Sequence, residues 1–220
     1  MIKNRKITTV LFDMDGVLVD SEFAMRSSGI KALEQYGVQA VHEDFFPFTG
    51  MGEDSFIGGV ARKHGAEYTT DMKDLAYRIY GTECRGDIIV FEGIKEMIDA
   101  LHSKKKMAVA SAADRVKVLI NLETIGVSES QFDALVTGSD VVKKKPDPEI
   151  YLKAAELVGV SPEECIVIED AVAGVKAAKS AGMLCIGICS TFDAATLTEA
   201  GADFTVKLTP EILPIIFEEN

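Results

Sequence analysis

The segment Leu11-Phe-Asp13-Met-Asp15-Gly16-Val-Leu-Val-Asp20-Ser21 constrains the fold more than any other stretch of this chain. An apolar run from Ile7 to Phe12 reads as a strand, and it delivers two carboxylates two residues apart, followed at once by a glycine. Alternate side chains of an extended chain point the same way, so Asp13 and Asp15 can both reach one pocket at the strand's carboxyl end. In open α/β sheets that end is where ligands bind. Two clustered carboxylates repel each other unless a cation or a shared proton accompanies them, and a divalent metal is the economical explanation. Chemically, the pair suits nucleophilic attack by one acid and proton donation and acceptance by the other. Asp and Gly are also ordinary turn residues, and a bare Asp-x-Asp-Gly would read as a surface turn. The strand ahead of it and three further stations downstream weigh against that reading.

The 220 residues suit one large domain, or one core with a smaller inserted domain. An apolar fraction of 47% is ample for a buried core. A formal net charge of −12 argues against general affinity for nucleic acid or an anionic membrane, without excluding an anionic substrate held by local lysines and metal. No apolar run approaches the roughly 18 residues of a membrane span. The basic amino-terminal residues lead straight into the first strand, so no secretory signal is expected. Cys84, Cys165, Cys185 and Cys189 lack paired spacing and read as reduced residues of a cytoplasmic protein, mostly small core side chains. His42, His64 and His102 fall outside every motif.

Strand-like runs recur at Ile7–Phe12, Met107–Ser111, Ala134–Val136, Cys165–Glu169, Leu184–Ile188 and Phe204–Val206. Helical patterns lie between them. Ile94, Met97, Ile98 and Leu101 have helical spacing, and Val116, Leu119 and Ile120 repeat it after the second strand. A helix is expected to start at Asp147-Pro148 and stop at Gly159, and another to run from Asp170 toward Gly182. Strands separated by helices imply an α/β fold with a doubly wound, parallel, Rossmann-like sheet. Residues 22–90 differ: no comparably long strand run appears, the apolar residues fall in three helical segments, and Phe45–Gly52 reads as a loop. The expected organisation is a core of residues 1–20 and 91–220, with residues 21–90 inserted as a small all-helical cap over the strand ends.

Three later stations accompany the first. Ser111 ends the strand Met-Ala-Val-Ala-Ser, where its hydroxyl and neighbouring backbone N–H groups can hold a phosphate oxygen. In Lys143-Lys-Lys145-Pro146-Asp-Pro148 the first two lysines read as a solvated face, whereas Lys145 is fixed by Pro146 and can aim an ammonium at the aspartates. In Ile166-Val-Ile-Glu169-Asp170-Ala-Val-Ala-Gly174 a buried-type strand delivers two adjacent acids just ahead of a helix. Asp170 can cap that helix or complete an oxygen shell for magnesium with Asp13. Glu169 points to the opposite side of an extended strand unless the strand has already turned, and so reads as a supporting ligand.

Four stations in this order resemble the motifs of the haloacid dehalogenase-like hydrolases over essentially the whole chain. Val-Ile-Glu-Asp-Ala-Val-Ala-Gly-Val and Lys-Pro-Asp-Pro-Glu-Ile-Tyr are similar to the wording of the subgroup containing β-phosphoglucomutase and phosphoglycolate-type phosphatases. The resemblance implies that Asp13 attacks phosphorus and carries an aspartyl-phosphate, and that Asp15 protonates the leaving oxygen and then activates water. It also implies that Ser111 and Lys145 hold phosphoryl oxygens. Mg²⁺ would be bound by Asp13, the Asp15 carbonyl and Asp170, with Glu169 assisting. Candidate substrate contacts are Gly16, Ala112 and Asp20, together with Gly50, Met51 and Glu53 of the cap loop.

Mutases of the subgroup place a histidine five residues beyond the aspartate matched by Asp20, where this chain has Met25. Where they carry an arginine in the cap loop and a lysine after the second station, this chain has Glu53 and Asp114. Loss of these groups favours hydrolysis of a small-metabolite phosphomonoester, and the resemblance implies a monomer. The alternative is a β-phosphoglucomutase-type isomerase, with Arg62, Arg78 or Arg85 restoring the missing charge. A non-catalytic phosphometabolite-binding protein is a third reading, against which all four chemically intact stations weigh.

Overall fold

In a computed structural model residues 5–49 and 52–217 are described. The chain opens with β1 (Thr9–Phe12) and a two-residue β2 (Val19–Asp20), followed by helices α1 (Glu22–Glu34), α2 (His42–Phe45), α3 (Glu53–Lys63) and α4 (Thr70–Thr82). A second two-residue strand, β3 (Ile89–Val90), leads to α5 (Ile94–His102), β4 (Lys106–Ala110), α6 (Arg115–Ile125), β5 (Ala134–Val136) and α7 (Glu149–Val158). Then come β6 (Cys165–Glu169), α8 (Val172–Ser180), β7 (Leu184–Ile188), α9 (Ala194–Ala200), β8 (Phe204–Val206) and α10 (Ile212–Phe217).

Six strands form one sheet in the order β5-β4-β1-β6-β7-β8, and every pairing in it is parallel. The chain winds outward from β1 to one edge, returns beside β1 at β6, and winds to the other edge. The order therefore reverses at β1, and the carboxyl ends of β4, β1 and β6 lie side by side there, where such sheets bind ligands. Alternation along the strands gives each face its own core. Val10, Phe12, Ile166 and Ile168 join the buried residues of α5, α6 and α10 on one face, while Leu11, Cys165 and Val167 join those of α7, α8 and α9 on the other. This is the doubly wound, Rossmann-like arrangement that the strand pattern implies.

Helices α1 to α4 form a layer in which α1 packs chiefly on α4, and α3 on both α2 and α4. Its buried side chains, among them Met25, Leu33, Phe45, Ile57, Val60 and Tyr80, continue the core of the first sheet face without a break. Two local readings change. Phe45 to Phe48 is not a loop: α2 ends there and runs into a 3₁₀ turn over Phe46–Phe48. The short β2 and β3 pair antiparallel where the chain leaves the sheet and where it returns, and two-residue strands are too short to leave a periodic signal.

The apolar stripe of α6 is also corrected. Val116 is half exposed, and the buried face instead carries Lys117, Val118, Asn121, Leu122 and Ile125. This helix is covered from two sides, by the sheet and by α4, so the face turned to the sheet does not exhaust its buried residues. Among the described residues no helix is long and apolar enough to cross a membrane.

Candidate active site

β1 ends at Phe12, and the next residue, Asp13, donates its backbone N–H to Ile168 O at 3.0 Å. That bond extends the β1–β6 ladder by one step and sets the Asp13 carboxylate beside the end of β6. There Lys145 Nζ donates to Asp13 Oδ1 at 2.7 Å and to Glu169 Oε1 at 2.7 Å. Tyr151, one turn into α7, donates its hydroxyl to the same Glu169 oxygen at 2.8 Å. The other Glu169 oxygen accepts the backbone N–H groups of Asp170 and Ala171, each at 2.9 Å. Glu169 is thus folded back onto its own strand end and buried, with every oxygen engaged.

Asp170 completes the group. Its carboxylate accepts the Thr191 hydroxyl after β7 and lies against Gly16, where a Cβ would stand 2.0 Å from Asp170 Oδ2. Gly16 has φ +77°, in the left-handed region, so both its conformation and this close approach call for glycine. One carboxylate oxygen from each of Asp13, Glu169 and Asp170 falls within 4.8 Å of the others.

Electrostatics follow from the crowding. Burial pushes the Asp13 carboxyl up to about 7, opposed by Lys145 and reinforced by Glu169. Burial likewise raises Asp170 to about 8, with Glu169 and Asp13 adding to it. Burial alone would lower Lys145, but Asp13 and Glu169 outweigh it and hold the ammonium above its ordinary value. Three acids against one lysine leave surplus negative charge in a low-dielectric site. All the donors are hard oxygens, one from each of three acids within 4.8 Å of one another, so the residues present fit a small divalent cation such as Mg²⁺.

Asp15 faces elsewhere. Its Oδ2 accepts from Lys117 Nζ at 2.9 Å, and its Oδ1 accepts the Ser21 hydroxyl. Its side chain is therefore outside the three-carboxylate group. Ser111, buried at the end of β4, accepts the Ala113 N–H on its hydroxyl at 3.2 Å, and with Ala112 it lines the same cavity. That cavity, about 780 Å³, is also lined by Asp13, Asp15, Gly16, Lys145, Glu169 and Asp170, and on its other side by Asp20, Met25, Arg26, Phe48 and Phe56.

The candidate residues thus converge on one cleft, with exceptions at its rim. Asp20 lines the cleft and also accepts the Glu22 N–H at 3.1 Å, just ahead of α1. Gly50 and Met51, and the side chain of Glu53, lie outside the described residues. Lys143 is exposed, whereas Lys144, although exposed overall, donates its ammonium to the Gly138 carbonyl and lines the cavity, which corrects the reading of it as a solvated face.

The arginines proposed to restore a second anion site do not line the cavity. Arg62 sits over Tyr68, Arg85 pairs with Glu123 at 3.2 Å, and Arg78 is exposed. Arg26 lines the cavity instead, paired to Glu22 at 3.0 Å. Asp114 accepts Tyr77 OH at 3.0 Å and Ser139 Oγ at 2.8 Å and pairs with Lys73 at 3.1 Å, which ties α4 to the loop after β4. His42, His64 and His102 are engaged by Phe23, Asp44 and the Gln131 carbonyl, away from the cleft.

Sequence reasoning missed Ser21, Lys117, Tyr151 and Thr191. Tyr151 lies inside a quoted motif. Lys117 carried one usable signal: it flanks the stripe Val118, Leu122 and Ile125, spaced i, i+4 and i+7, on a helix that must pack on a sheet.

With this geometry in hand, comparisons with known proteins give a family. Residues 10–188 match the family model described as haloacid dehalogenase-like hydrolase. The phosphorylated carbohydrates phosphatase of Thermotoga maritima is 33% identical over 215 residues, covering 95% of this chain and 98% of that protein. The validoxylamine A 7'-phosphate phosphatase of Streptomyces hygroscopicus subsp. limoneus is 31% identical over 216 residues, covering 93% and 97%. Protein SUPPRESSOR OF QUENCHING 1, chloroplastic, of Arabidopsis thaliana is 42% identical over 201 residues, which cover 89% of this chain but only 19% of that much longer protein. Among solved structures, CbbY from Rhodobacter sphaeroides in complex with phosphate superposes with a TM-score of 0.79 at 25% identity, covering 94% of this chain and 96% of that one. The chain belongs to the haloacid dehalogenase-like hydrolase family.

Proposed function

We propose that this protein is a Mg²⁺-dependent phosphatase that hydrolyses a small-metabolite phosphomonoester, such as a sugar phosphate, through an aspartyl-phosphate on Asp13. One observation carries the reading. The Asp13 carboxylate is held by Lys145 at 2.7 Å beside two further buried acids, Glu169 and Asp170, at the floor of a cleft large enough for a small metabolite. The family and the phosphatase names of two full-length relatives support it.

In this reading Lys145 and the Ser111 hydroxyl hold non-bridging oxygens, with the Ala112 backbone beside them and Gly16 leaving room for close approach. An Asp13 oxygen attacks phosphorus, the bond to the ester oxygen breaks, and Asp15 gives that oxygen its proton. Water then attacks the same phosphorus, passes a proton to Asp15, and releases inorganic phosphate and the Asp13 carboxylate. Asp13 and Asp170, with the Asp15 carbonyl and Glu169 in support, would hold Mg²⁺, which supplies charge neutralisation on the transferring group. The layer of α1 to α4, residues 21–90, acts as a cap that selects the ester and excludes bulk water.

Phosphatase is preferred over mutase because Met25 occupies the cavity wall where an acid–base histidine would be needed, and because Arg62, Arg78 and Arg85 lie off it. The test is phosphate release from a panel of sugar, nucleotide and cofactor monophosphates with Mg²⁺ and with EDTA, alongside Asp13→Asn. Mg²⁺-dependent release by the native chain and none by the variant is expected. Conversion of β-glucose 1-phosphate to glucose 6-phosphate without net phosphate would establish the mutase instead.

A further inference from the structure

Helix α6 buries two polar side chains one turn apart, Lys117 and Asn121, beside Val118 and Leu122. Burying a lysine and an amide costs several times what an apolar side chain would gain there, unless each is hydrogen-bonded. Both belong to one network. Lys117 donates to Asp15 Oδ2 at 2.9 Å, and Ser21, fully buried at the start of α1, donates to Oδ1. Tyr80 of α4, also fully buried, donates its hydroxyl to Asn121 Oδ1 and lies next to Ser21. The Asn121 Nδ2 has no partner in this orientation. Turning the amide over presents Nδ2 to the Tyr80 oxygen and lets Tyr80 donate to Ser21 and Ser21 to Asp15, a run of donors in one direction.

We infer that Lys117 is a positioning residue for Asp15, and that the Asn121–Tyr80–Ser21 chain is the second arm of the same clamp. The inference rests on the proposed role of Asp15 as proton donor to the leaving group. Each oxygen of the carboxylate has its own donor, one from the core helix α6 and one from the helical layer, so rotation about the side-chain bonds is restrained from both sides. The hydrogen bonds of the clamp run to Asp15, and Lys117 also lines the cleft. A positioning role predicts an effect confined to the leaving-group step, whereas direct contact of Lys117 with the phosphate would extend the effect to phosphate capture.

That confinement sets the experiment. Phenyl phosphate has a leaving group as weakly acidic as tyrosine and needs a proton in the transition state, whereas p-nitrophenyl phosphate has a far better one and needs it little. Steady-state rates on both esters, with Mg²⁺, are compared for the native chain, Lys117→Met, Lys117→Arg and Asp15→Asn. Lys117→Met is expected to lower kcat on phenyl phosphate about tenfold more than on p-nitrophenyl phosphate, a small part of the usual general-acid effect. KM on both esters should stay within about threefold. Lys117→Arg, which keeps the charge with a different shape, should recover part of the difference. The double variant with Asp15→Asn should be no slower than Asp15→Asn alone, as expected for residues acting as a unit.

Equal losses on the two esters, or a change in KM without one in kcat, would overturn the inference in favour of a structural or phosphate-binding role. If Lys117→Met does not fold, Tyr80→Phe reads the same rate ratio through the other arm, and an unchanged ratio there overturns the clamp. Absence of the leaving-group signature in Asp15→Asn itself would remove the Asp15 assignment, and activity in Asp13→Asn would remove the phosphatase mechanism. Those two failures are thereby separate from a failure at Lys117.

Discussion

The two aspartates of the first motif sit in surroundings built by different means. Asp13 is held by strand ends: β1 and β6 are hydrogen-bonded neighbours, Glu169 is the last residue of β6, and Lys145 and Asp170 arrive from loops at the same end of the sheet. Asp15, two residues on, is held by helices: Ser21 from the start of α1, Lys117 from α6, and Tyr80 of α4 behind Ser21. The first set needs only the parallel sheet to form. The second needs the helical layer docked on α6. Under the proposed mechanism, the groups around Asp13 can stay intact while the setting of Asp15 depends on how the layer is seated.

Several substitutions sharpen or break this contrast. The largest effect should come from Asp13→Asn, with kcat on any accepted ester lower by on the order of a thousandfold or more, while the protein stays folded. Single-turnover trapping of phosphoprotein checks it, and a labelled intermediate in the variant would sink the nucleophile.

Lys145→Met leaves Asp13 and Glu169 without their shared cation. Breaking a buried pair in this way costs about 3 kcal/mol or more, measurable by denaturant unfolding, and activity should fall with it. An unaltered unfolding midpoint would mean that the carboxylates simply take up protons.

Gly16→Ala pushes a Cβ to 2.0 Å from Asp170 Oδ2 at a backbone with φ +77°. A loss of about 2 kcal/mol and a higher Mg²⁺ concentration for half-maximal activity, read from activity against free Mg²⁺, should accompany it. Unchanged Mg²⁺ dependence would show that Asp170 is not a ligand.

The pH dependence follows from the same crowding. Asp13 and Asp170 have carboxyls raised from 3.8 to about 7 and about 8, chiefly by burial. A raised acid favours the fold most below its unfolded value, and that contribution is lost as pH rises through the folded value. Metal-free protein should therefore lose melting temperature between about pH 4 and pH 8, and Mg²⁺ should restore more of it at pH 8 than at pH 5, because metal competes with these protons. Melting curves in EDTA and in Mg²⁺ test this, and a flat difference across the range would contradict it.

The smallest effect should come from Tyr77→Phe, which removes the 3.0 Å hydrogen bond from α4 to Asp114. Lys73 and Ser139 still hold that carboxylate, so stability should fall by about 1 kcal/mol or less. If KM for an alkyl phosphate moves and KM for p-nitrophenyl phosphate does not, the seating of the layer influences the leaving-group side alone.

Legibility divides along the same line. β1, β5, β6, β7 and β8, the start of α7 beside Asp147-Pro148 and its stop at Gly159 follow from local residue choice, and the strand ends carry Asp13, Ser111, Glu169 and Asp170 with them. Glu169 was the harder residue. Strand alternation alone turns it away, and its backbone contacts with Asp170 and Ala171 bring it back. On α6 the pattern misled, because Val116 and Leu119 look like the apolar stripe while the buried face contains Lys117 and Asn121.

By itself, then, the sequence determined a parallel, doubly wound sheet and the acids and lysine of its strand-end motifs. These depend on continuous apolar runs buried on both faces and on residues at strand termini, which are local properties. Only the tertiary structure decided which side chains hold Asp15 and where Arg26, Lys117 and Asp114 are spent. Those partners come from helices far apart in sequence. Burial of a polar residue there is set by what packs over it, which no spacing along the chain records.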